Sequence, residues 1–449
     1  MLRRKALESL RNWKTKPGKK PLLVEGPRQV GKTFIIRVFA EEAYEASYEL
    51  NFLMNSSLTK IFTGDLSADA ILAGIRLNFP GKPFVSGKTL IFLDEIQACP
   101  DAITALKFLS GDERFDVIAS GSSLGMIHAQ TSSWPVGQID YLDMWSLDFE
   151  EFLWAVGIDD DLIETVRGYR TGEKVIPEAI HQKMTEFLRQ YLVTGGMPEV
   201  VALFINGWDY SAADAAQRRI YRDYSADIAH YAEPEIRVKA QACWNSIPAQ
   251  LSKDNHKFQY STVERRGTAA KFGSSVEWLK AARMVSVVQN VTGVHYPLKN
   301  AAMQDHFRLY PTDIGLLIST YDFSLKKAFL REDEGDSLSE AIVFRTAKGG
   351  ILEALAAEML CKRGCFERNW FYRNEAGSLE IEFLTEGING IIPIEIKAGN
   401  HKTRSLDKIL QDDQIVRGYK FADQNSGISG KKVTLPLYML MFFDLGQEN

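Results

Sequence analysis

The sequence has little that would cross-link the chain, anchor it in a membrane or charge it strongly. Its four cysteines show neither a disulfide framework nor a paired metal-binding spacing: Cys99, Cys243, Cys361 and Cys365. No apolar run is long enough to span a bilayer, and the basic N-terminus lacks the apolar segment of a signal peptide. The net charge of −5 excludes a chain that binds polyanions over its whole surface, so nucleic acid would need a local basic face. These absences predict a cytoplasmic protein with no membrane partner.

Residues 26–33 match the phosphate-binding pattern G-x-x-x-x-G-K-[ST]: Gly26, Pro27, Arg28, Gln29, Val30, Gly31, Lys32 and Thr33. The apolar run before them, residues 21–25, predicts a buried strand, and residues 34–40 predict a helix. In this context backbone N–H groups and the start of the helix surround a polyphosphate. Lys32 then reaches the terminal phosphates and the Thr33 hydroxyl holds Mg²⁺. The loop therefore predicts a nucleoside triphosphate, expected to be ATP, bound with magnesium.

Two acids end a second apolar run, residues 89–95, which is typical of a central parallel strand buried on both faces. Open α/β sheets bind ligands at the carboxyl ends of their strands. We therefore expect Asp94 at the Mg²⁺ and Glu95 at the water that attacks the γ-phosphate. The alternative is a strand whose acids only cap the next helix. A third strand leads into Ser120, Gly121, Ser122 and Ser123, where a hydroxyl either senses the γ-phosphate or the attacking water, or the residues only form a turn.

A chain of 449 residues is too long for one hydrophobic core, and its pattern changes along its length. Residues 1–145 alternate strands and helices, as in a doubly wound parallel sheet, and residues 146–235 turn helical. Residues 236–321 predict helices followed by a β-hairpin, with its strands at 284–288 and 294–296. A helix and several short strands follow in residues 322–449. We expect four domains with these boundaries.

The third of these segments has the element order of a winged helix. It gathers basic residues between its helices: Lys253, His256, Lys257, Arg265, Arg266 and Lys271. Winged-helix domains often bind duplex DNA, but many serve only as protein–protein modules, so both interpretations remain open.

A second set of charged residues lies in the last segment. Period-two alternation puts Glu382 on the polar face of one strand, and Glu395 with Lys397 on one face of another. If the strands are neighbours, the two carboxylates can hold Mg²⁺ and the lysine can orient water in phosphate-ester hydrolysis. Glu353, on the preceding helix, would add a ligand. The alternative, which the pattern alone favours, is an antiparallel pair with a solvated, charge-paired face.

With these motifs placed, the chain resembles a prokaryotic AAA+ ATPase family related to the STAND group. Its members join an ATPase core, a winged helix and a C-terminal domain similar to PD-(D/E)XK nucleases. The resemblance covers nearly the whole chain. The segments that match lie in the family's order, at residues 21–33, 91–97, 120–122, 147–153, 191–199 and 247–252. The resemblance implies an α/β fold, with a P-loop AAA+ parallel sheet, a helical lid, a winged helix and a C-terminal α/β nuclease-like domain.

The resemblance also implies roles for individual residues. Ser120 falls at the sensor position, and Pro198 ends a G-x-P element that packs near the adenine. Glu382, Glu395 and Lys397 fall on the D…E-x-K positions of the nuclease-like domain. Glu382 departs from the family's usual aspartate, and its longer side chain moves the carboxylate by more than about 1 Å. The arginine that acts on the γ-phosphate stays unassigned, with three candidates on charge alone: Arg218, Arg219 and Arg222.

Three functions follow from these interpretations. The one we expect is a Mg²⁺-dependent ATPase that acts as a conformational switch and associates with DNA through the winged helix. The second is an ATP-regulated nuclease that cuts at Glu382, Glu395 and Lys397. The third is a signalling adaptor with slow hydrolysis and a protein partner. Members of the wider group form rings or stay monomeric until triggered, so a homo-oligomer remains open.

Overall fold

The computed structural model describes residues 1–122, 133–253, 255–331, 338–388, 390–399 and 402–443, with the backbone alone for 338–346. The chain divides into two compact units. The first unit contains residues 3–146 and 281–283, and the second contains the remainder. Within the described residues, no helix is both long enough and apolar enough to cross a bilayer.

The first unit is a five-stranded parallel sheet flanked by helices. Its helices are α1 (Lys5–Thr15), α2 (Lys32–Ala43), α3 (Ala68–Asn78) and α4 (Pro100–Leu109). Its strands are β1 (Leu22–Glu25), β2 (Ala46–Asn51), β3 (Thr89–Asp94), β4 (Asp116–Gly121) and β5 (Asp140–Asp143). They lie in the order β2-β3-β4-β1-β5, and every neighbouring pair is parallel. The predicted parallel α/β sheet is therefore confirmed.

Burial explains the uninterrupted apolar run in the middle of β3, residues 90–93. All six residues of β3 are buried, because β2 and β4 pair with its two edges and helices cover the sheet. Since the strands are parallel, the ends of β1, β3 and β4 meet at one edge of the sheet. That edge carries the phosphate loop, Asp94 and Ser120. Ser123, the last serine of the run predicted to contain a sensing hydroxyl, lies outside the described residues.

The second unit combines helices with an eight-stranded mixed sheet. Its first helices are α5 (Phe149–Ala155), α6 (Asp160–Arg167), α7 (Glu178–Thr194), α8 (Pro198–Ile205), α9 (Tyr210–Tyr231) and α10 (Pro234–Leu251). Six more follow: α11 (Tyr260–Val263), α12 (Ala269–Ala281), α13 (Ile314–Ile318), α14 (Phe323–Arg331), α15 (Leu338–Leu360) and α16 (Arg404–Ile409). The strands are β6 (Val285–Val291), β7 (Ala302–Pro311), β8 (Trp370–Arg373), β9 (Glu380–Gly387), β10 (Gly390–Lys397), β11 (Gly418–Ala422), β12 (Gly427–Ser429) and β13 (Lys432–Pro436). Their order is β12-β13-β11-β10-β9-β8-β6-β7.

The expected hairpin exists, but its second strand was predicted in the wrong place. Strand β6 pairs antiparallel with β7, which begins only at Ala302, and residues 294–296 lie in the connection. Pro297 follows them directly and has no N–H group with which to extend a ladder. Strand β6 also pairs in parallel with β8, so the hairpin belongs to the same sheet as the C-terminal strands. The boundary expected near residue 321 stays a prediction.

Candidate functional site

The phosphate loop has the backbone that its glycines suggest. A Cβ atom on Gly26 would overlap the carbonyl oxygen of Met144, so only glycine fits at that position. Gly31 has φ of 91°, a left-handed conformation that favours glycine, and α2 begins at the next residue. The loop thus turns sharply from β1 into the helix and leaves the first N–H groups of α2 without helical partners.

Lys32 is folded back on its own loop. Its ammonium Nζ donates to the carbonyl oxygens of Gly26, at 2.9 Å, and Pro27, at 2.6 Å. Burial lowers the pKa of Lys32 to about 8, against the raising effect of Glu95. The positive charge of Arg28 lowers it further. A phosphate would offer this buried ammonium charged acceptors in place of neutral carbonyl groups.

Asp94 accepts hydrogen bonds from three side chains at this edge of the sheet. The Thr33 hydroxyl donates to its Oδ1 at 3.0 Å, and the Ser120 hydroxyl donates to the same oxygen. The side-chain amide of Asn51, at the end of β2, donates to Oδ2 at 2.8 Å. Asp94 itself is 1% exposed. Three chain segments therefore hold one buried carboxylate beside the phosphate loop.

Glu95, the residue directly after β3, has an unusual backbone conformation. Its φ of 53° and ψ of 48° lie in the left-handed region, which non-glycine residues seldom adopt. Its carboxylate accepts a hydrogen bond from the side-chain amide of Gln97. Backbone strain of this kind is concentrated at functional sites.

The donors at this edge fit magnesium. The Thr33 hydroxyl and the Asp94 carboxylate are hard oxygen ligands in mutual contact. In the part of the chain that the structure describes, no group of three or more His, Cys, Asp or Glu side chains is arranged to hold a metal ion. Mg²⁺ in phosphate sites is commonly held by one or two carboxylates together with substrate phosphates, which is what this set offers.

The second predicted set also comes together, within the second unit. Lys397 Nζ lies 2.7 Å from Glu382 Oε1 and 2.9 Å from Glu395 Oε1. The other carboxylate oxygen of each acid is buried and has no hydrogen-bond partner. Burial raises the pKa of Glu382 to about 7 and also raises that of Glu395. Burial alone would lower the pKa of Lys397, but the two carboxylates raise it.

Glu353 does not join this set directly. Its carboxylate accepts from Arg308 Nη1 and lies against His256 Nδ1, each at 2.6 Å, and it also accepts from the Tyr310 hydroxyl. Burial opposes ionisation, but Arg308 and His256 lower the pKa of Glu353 to about 2. The ligand expected from this helix is therefore committed to a separate ion-pair cluster.

Pro198 begins α8 in the second unit, directly after a tightly packed turn. A Cβ atom on Gly196 would overlap the carbonyl oxygen of Leu147. The Gly196 N–H donates to Asp313 Oδ2 at 2.9 Å, and the Leu147 N–H donates to the Gly196 oxygen at 2.7 Å. The turn is held firmly, while the role of Pro198 near an adenine stays a prediction.

The basic residues of the expected winged helix do not share one environment. Lys253 donates to Thr262 at 2.6 Å, and His256 is committed to Glu353. Lys271 is exposed but ion-paired. Arg265 and Arg266 are exposed and adjacent. These two arginines are the part of the cluster best placed to meet a phosphate backbone.

A comparison with known proteins identifies the class of domain in the first unit. A family model described as an AAA domain matches residues 18–153. Two others, each described as a domain of unknown function, match residues 185–327 and 348–440. The chain thus contains an AAA-type P-loop ATPase domain. No curated protein of similar sequence was found.

Three solved structures are distantly similar, each at 12% sequence identity. A Walker-type ATPase of Pyrococcus abyssi has a TM-score of 0.43 over 74% of this chain and 96% of that chain. The Aeropyrum pernix ORC1 protein in complex with DNA has a TM-score of 0.28, over 73% and 91%. The ADP form of the Aeropyrum pernix ORC2 protein has a TM-score of 0.29, over 74% and 94%. TM-scores below 0.5 do not establish a common overall fold.

Three residues of the first unit were missed from the sequence: Asn51, Gln97 and Arg283. Asn51 ends a short alternating strand, and a known strand order would have placed it beside Asp94. Gln97 lies two residues after Glu95, close enough to have been considered as its partner. Arg283 lies 258 residues from its partner Glu25, and no local pattern indicates that pairing.

Proposed function

We propose that the chain is a Mg²⁺-dependent, ATP-binding AAA-type ATPase that acts as a conformational switch and associates with DNA. The main observation behind this proposal is the set of hydrogen bonds that Asp94 accepts. Thr33, Ser120 and Asn51 all donate to that carboxylate at the sheet edge where Lys32 begins α2. Hydroxyl, carboxylate and ammonium groups of this kind match the charge and ligands of a magnesium-bound triphosphate.

Each residue has a role in this proposal. Lys32 exchanges the carbonyl oxygens of Gly26 and Pro27 for phosphate oxygens. Glu95, once released by Gln97, accepts a proton from the attacking water. Bound magnesium would offset the charge of the β- and γ-phosphates. Ser120 keeps Asp94 oriented through its hydrogen bond and senses the γ-phosphate.

The test is ATP turnover by the purified chain with Mg²⁺, with and without duplex DNA. We expect turnover in the wild type, loss of nucleotide binding in Lys32→Ala, and binding without turnover in Glu95→Gln. Normal hydrolysis by Glu95→Gln would show that another group is the base. Turnover in Lys32→Ala equal to the wild type would contradict the whole assignment.

Association with DNA rests on Arg265 and Arg266. Binding should weaken steeply with salt, and a double alanine variant should bind less tightly at every sequence tested. An absence of binding at low salt would remove the DNA role. It would favour the adaptor, in which hydrolysis is slow and the switch acts on a protein partner or a second copy of the chain.

A second candidate function is an ATP-regulated nuclease, favoured by the two buried carboxylate oxygens without partners on Glu382 and Glu395. Paired carboxylates beside a lysine suit metal-assisted phosphodiester hydrolysis. Cleavage of DNA or RNA that depends on Mg²⁺ or Mn²⁺ and is lost in Lys397→Ala would support it. Cleavage that survives this change would come from another site.

A further inference from the structure

Arg283 is an arginine from late in the chain that belongs to the first unit. Residues 281–283 group with that unit, although the segments on either side belong to the second. Arg283 Nη2 lies 2.6 Å from Glu25 Oε2 and 2.8 Å from Asp143 Oδ1. Glu25 immediately precedes the first glycine of the phosphate loop, so the guanidinium lies at the entrance to that loop.

The charge of the guanidinium also influences Lys32. Its positive charge is among those that lower the pKa of that lysine. Its planar group lies over the Trp145 ring, with Cζ 5.3 Å from the ring centroid. Arg283 therefore has two carboxylate partners and an aromatic support, in the unit that contains the ammonium expected to hold the terminal phosphates.

The backbone of Arg283 adds an independent observation. Its φ of 56° is left-handed, which is uncommon for a long side chain and is concentrated at ligand clamps and switch regions. The Arg283 side chain is 17% exposed and that of Glu25 is 14% exposed, so the pair is partly protected from water.

Other arginines are less suited to this role. Arg4 is buried in the first unit and donates to the backbone oxygens of Val30 and Trp145, which fixes the loop from behind. Arg218 and Arg219 lie on α9 in the second unit and pair with Asp214 and Glu199. Arg283 differs because it belongs to the first unit and is ion-paired with the residue that precedes the phosphate loop. Its partners are carboxylates, whose place a phosphate can take.

We propose that Arg283 senses the γ-phosphate of ATP: on ATP binding its guanidinium leaves Glu25 and Asp143 and donates to that phosphate. This inference rests on the proposed ATP-binding function. Arg283 lies in the connection between α12 and β6, so the exchange acts on the chain where it continues into elements of the second unit. ADP lacks the γ-phosphate and leaves the arginine on its carboxylates. Arg283 thus makes the switch respond to which nucleotide is bound.

The test measures the affinities of ATP and ADP, with Mg²⁺, by calorimetry on the full chain. In Arg283→Ala the Kd for ATP should rise about tenfold or more, the usual loss for a charge-assisted contact, while the Kd for ADP changes less than about twofold. Asp143→Asn should have the opposite effect and lower the Kd for ATP severalfold. The reason is that it weakens a carboxylate that competes with the γ-phosphate for Arg283. The Asp143 side chain is 51% exposed, so this variant keeps the fold.

Two controls separate the possible failures. Arg11→Ala removes an exposed arginine ion-paired with Glu42 in the same unit, and both affinities should stay unchanged. Lys32→Ala tests the nucleotide site itself. If the wild type binds neither nucleotide, the proposed function fails and the inference fails with it.

If the wild type binds ATP and Arg283→Ala changes ATP and ADP equally or not at all, only the sensing role is overturned. If Arg283→Ala fails to fold, Asp143→Asn tests the sensing role instead. An unchanged ratio of ATP to ADP affinity in that variant contradicts the exchange.

Discussion

Asn51 donates a hydrogen bond of 2.8 Å from its side-chain amide to Oδ2 of Asp94, across the ends of two neighbouring parallel strands. The two residues are direct partners in the register of β2 and β3. Thr33 and Ser120 approach the other oxygen, so both oxygens of this buried carboxylate have donors. A carboxylate held in this way keeps its direction while hydroxyl groups and phosphates rearrange around it.

We predict that Asn51→Ala lowers ATP turnover by about tenfold, since the loss of one hydrogen bond to a charged group costs roughly 1.5–3 kcal/mol. The reason is that Oδ2 of Asp94 loses the shorter of its two hydrogen bonds and keeps only the one of 3.2 Å from Thr33, so the carboxylate is held less firmly. The Mg²⁺ concentration needed for half-maximal turnover should rise in parallel. Steady-state rates measured over a magnesium series check both effects.

The matched control for that variant is Asn78→Ala, which removes an exposed asparagine whose side-chain amide caps a backbone oxygen of α3. It should leave turnover and magnesium dependence unchanged. Equal losses in the two variants would mean that Asn51 matters for stability and has no special relation to Asp94.

The first unit's site could be foreseen in part because its motifs are local and parallel strands end together. A loop, an acid after an apolar run and a serine after another run fall at one sheet edge whatever the strand order. Asn51 needed that order, because β2 meets β3 only once the sheet is assembled. Arg283 needed a pairing across 258 residues, which no periodicity encodes.

The second unit shows a different limit. Alternation placed Glu382, Glu395 and Lys397 on common faces, and β9 and β10 are neighbours as that interpretation required. Glu353 could not be interpreted correctly because its cation, Arg308, comes from β7. That strand was misplaced when its start was predicted before Pro297. Because the second strand of the hairpin was predicted in the wrong place, Arg308 was not expected near Glu353. Arg308 pairs with Glu353, which therefore does not join the other two acids.

A buried carboxyl in the second unit gives a prediction about pH. Glu358 accepts from the Tyr191 hydroxyl, from the Ile314 N–H and, at 2.6 Å, from Lys362. Burial raises its pKa to about 7, although Lys362 acts in the opposite direction. Between pH 4.5 and 7 the folded chain holds a proton that the unfolded chain has lost, so the free energy of unfolding falls as pH rises.

Glu358→Gln lacks this carboxyl and should lose the uptake of about one proton that accompanies folding. The free energy of unfolding should therefore lose a pH dependence of roughly 1.4 kcal/mol per pH unit. At pH 5 the wild-type carboxyl is neutral, like the amide, and the stabilities should be similar. At pH 8 the variant should have gained stability relative to the wild type. Denaturant unfolding of both proteins across pH 5–8 measures the difference, with exposed Glu375→Gln as the control. A parallel pH dependence in wild type and variant would contradict the assignment.

The pair of Glu382 and Glu395 leads to a prediction about divalent cations. Each acid shares one oxygen with Lys397 and leaves the other buried without a hydrogen-bond partner. Buried carboxylate oxygens of this kind are destabilising until a donor or a cation meets them. A cation that binds only the folded state stabilises it by mass action, by about 2.7 kcal/mol at a hundred times its Kd.

Mn²⁺ at pH 8 should therefore raise the unfolding temperature of the wild type by a few degrees, and should do so much less in Glu382→Gln. The amide keeps the size of the side chain but cannot supply a charged ligand. Glu375→Gln again serves as the control and should respond like the wild type. Measuring the unfolding temperature in the Lys32→Ala background avoids stabilisation through the phosphate loop. An equal response in Glu382→Gln, or none in any variant, would identify the cluster as a buried ion pair whose lysine already occupies the place of a metal.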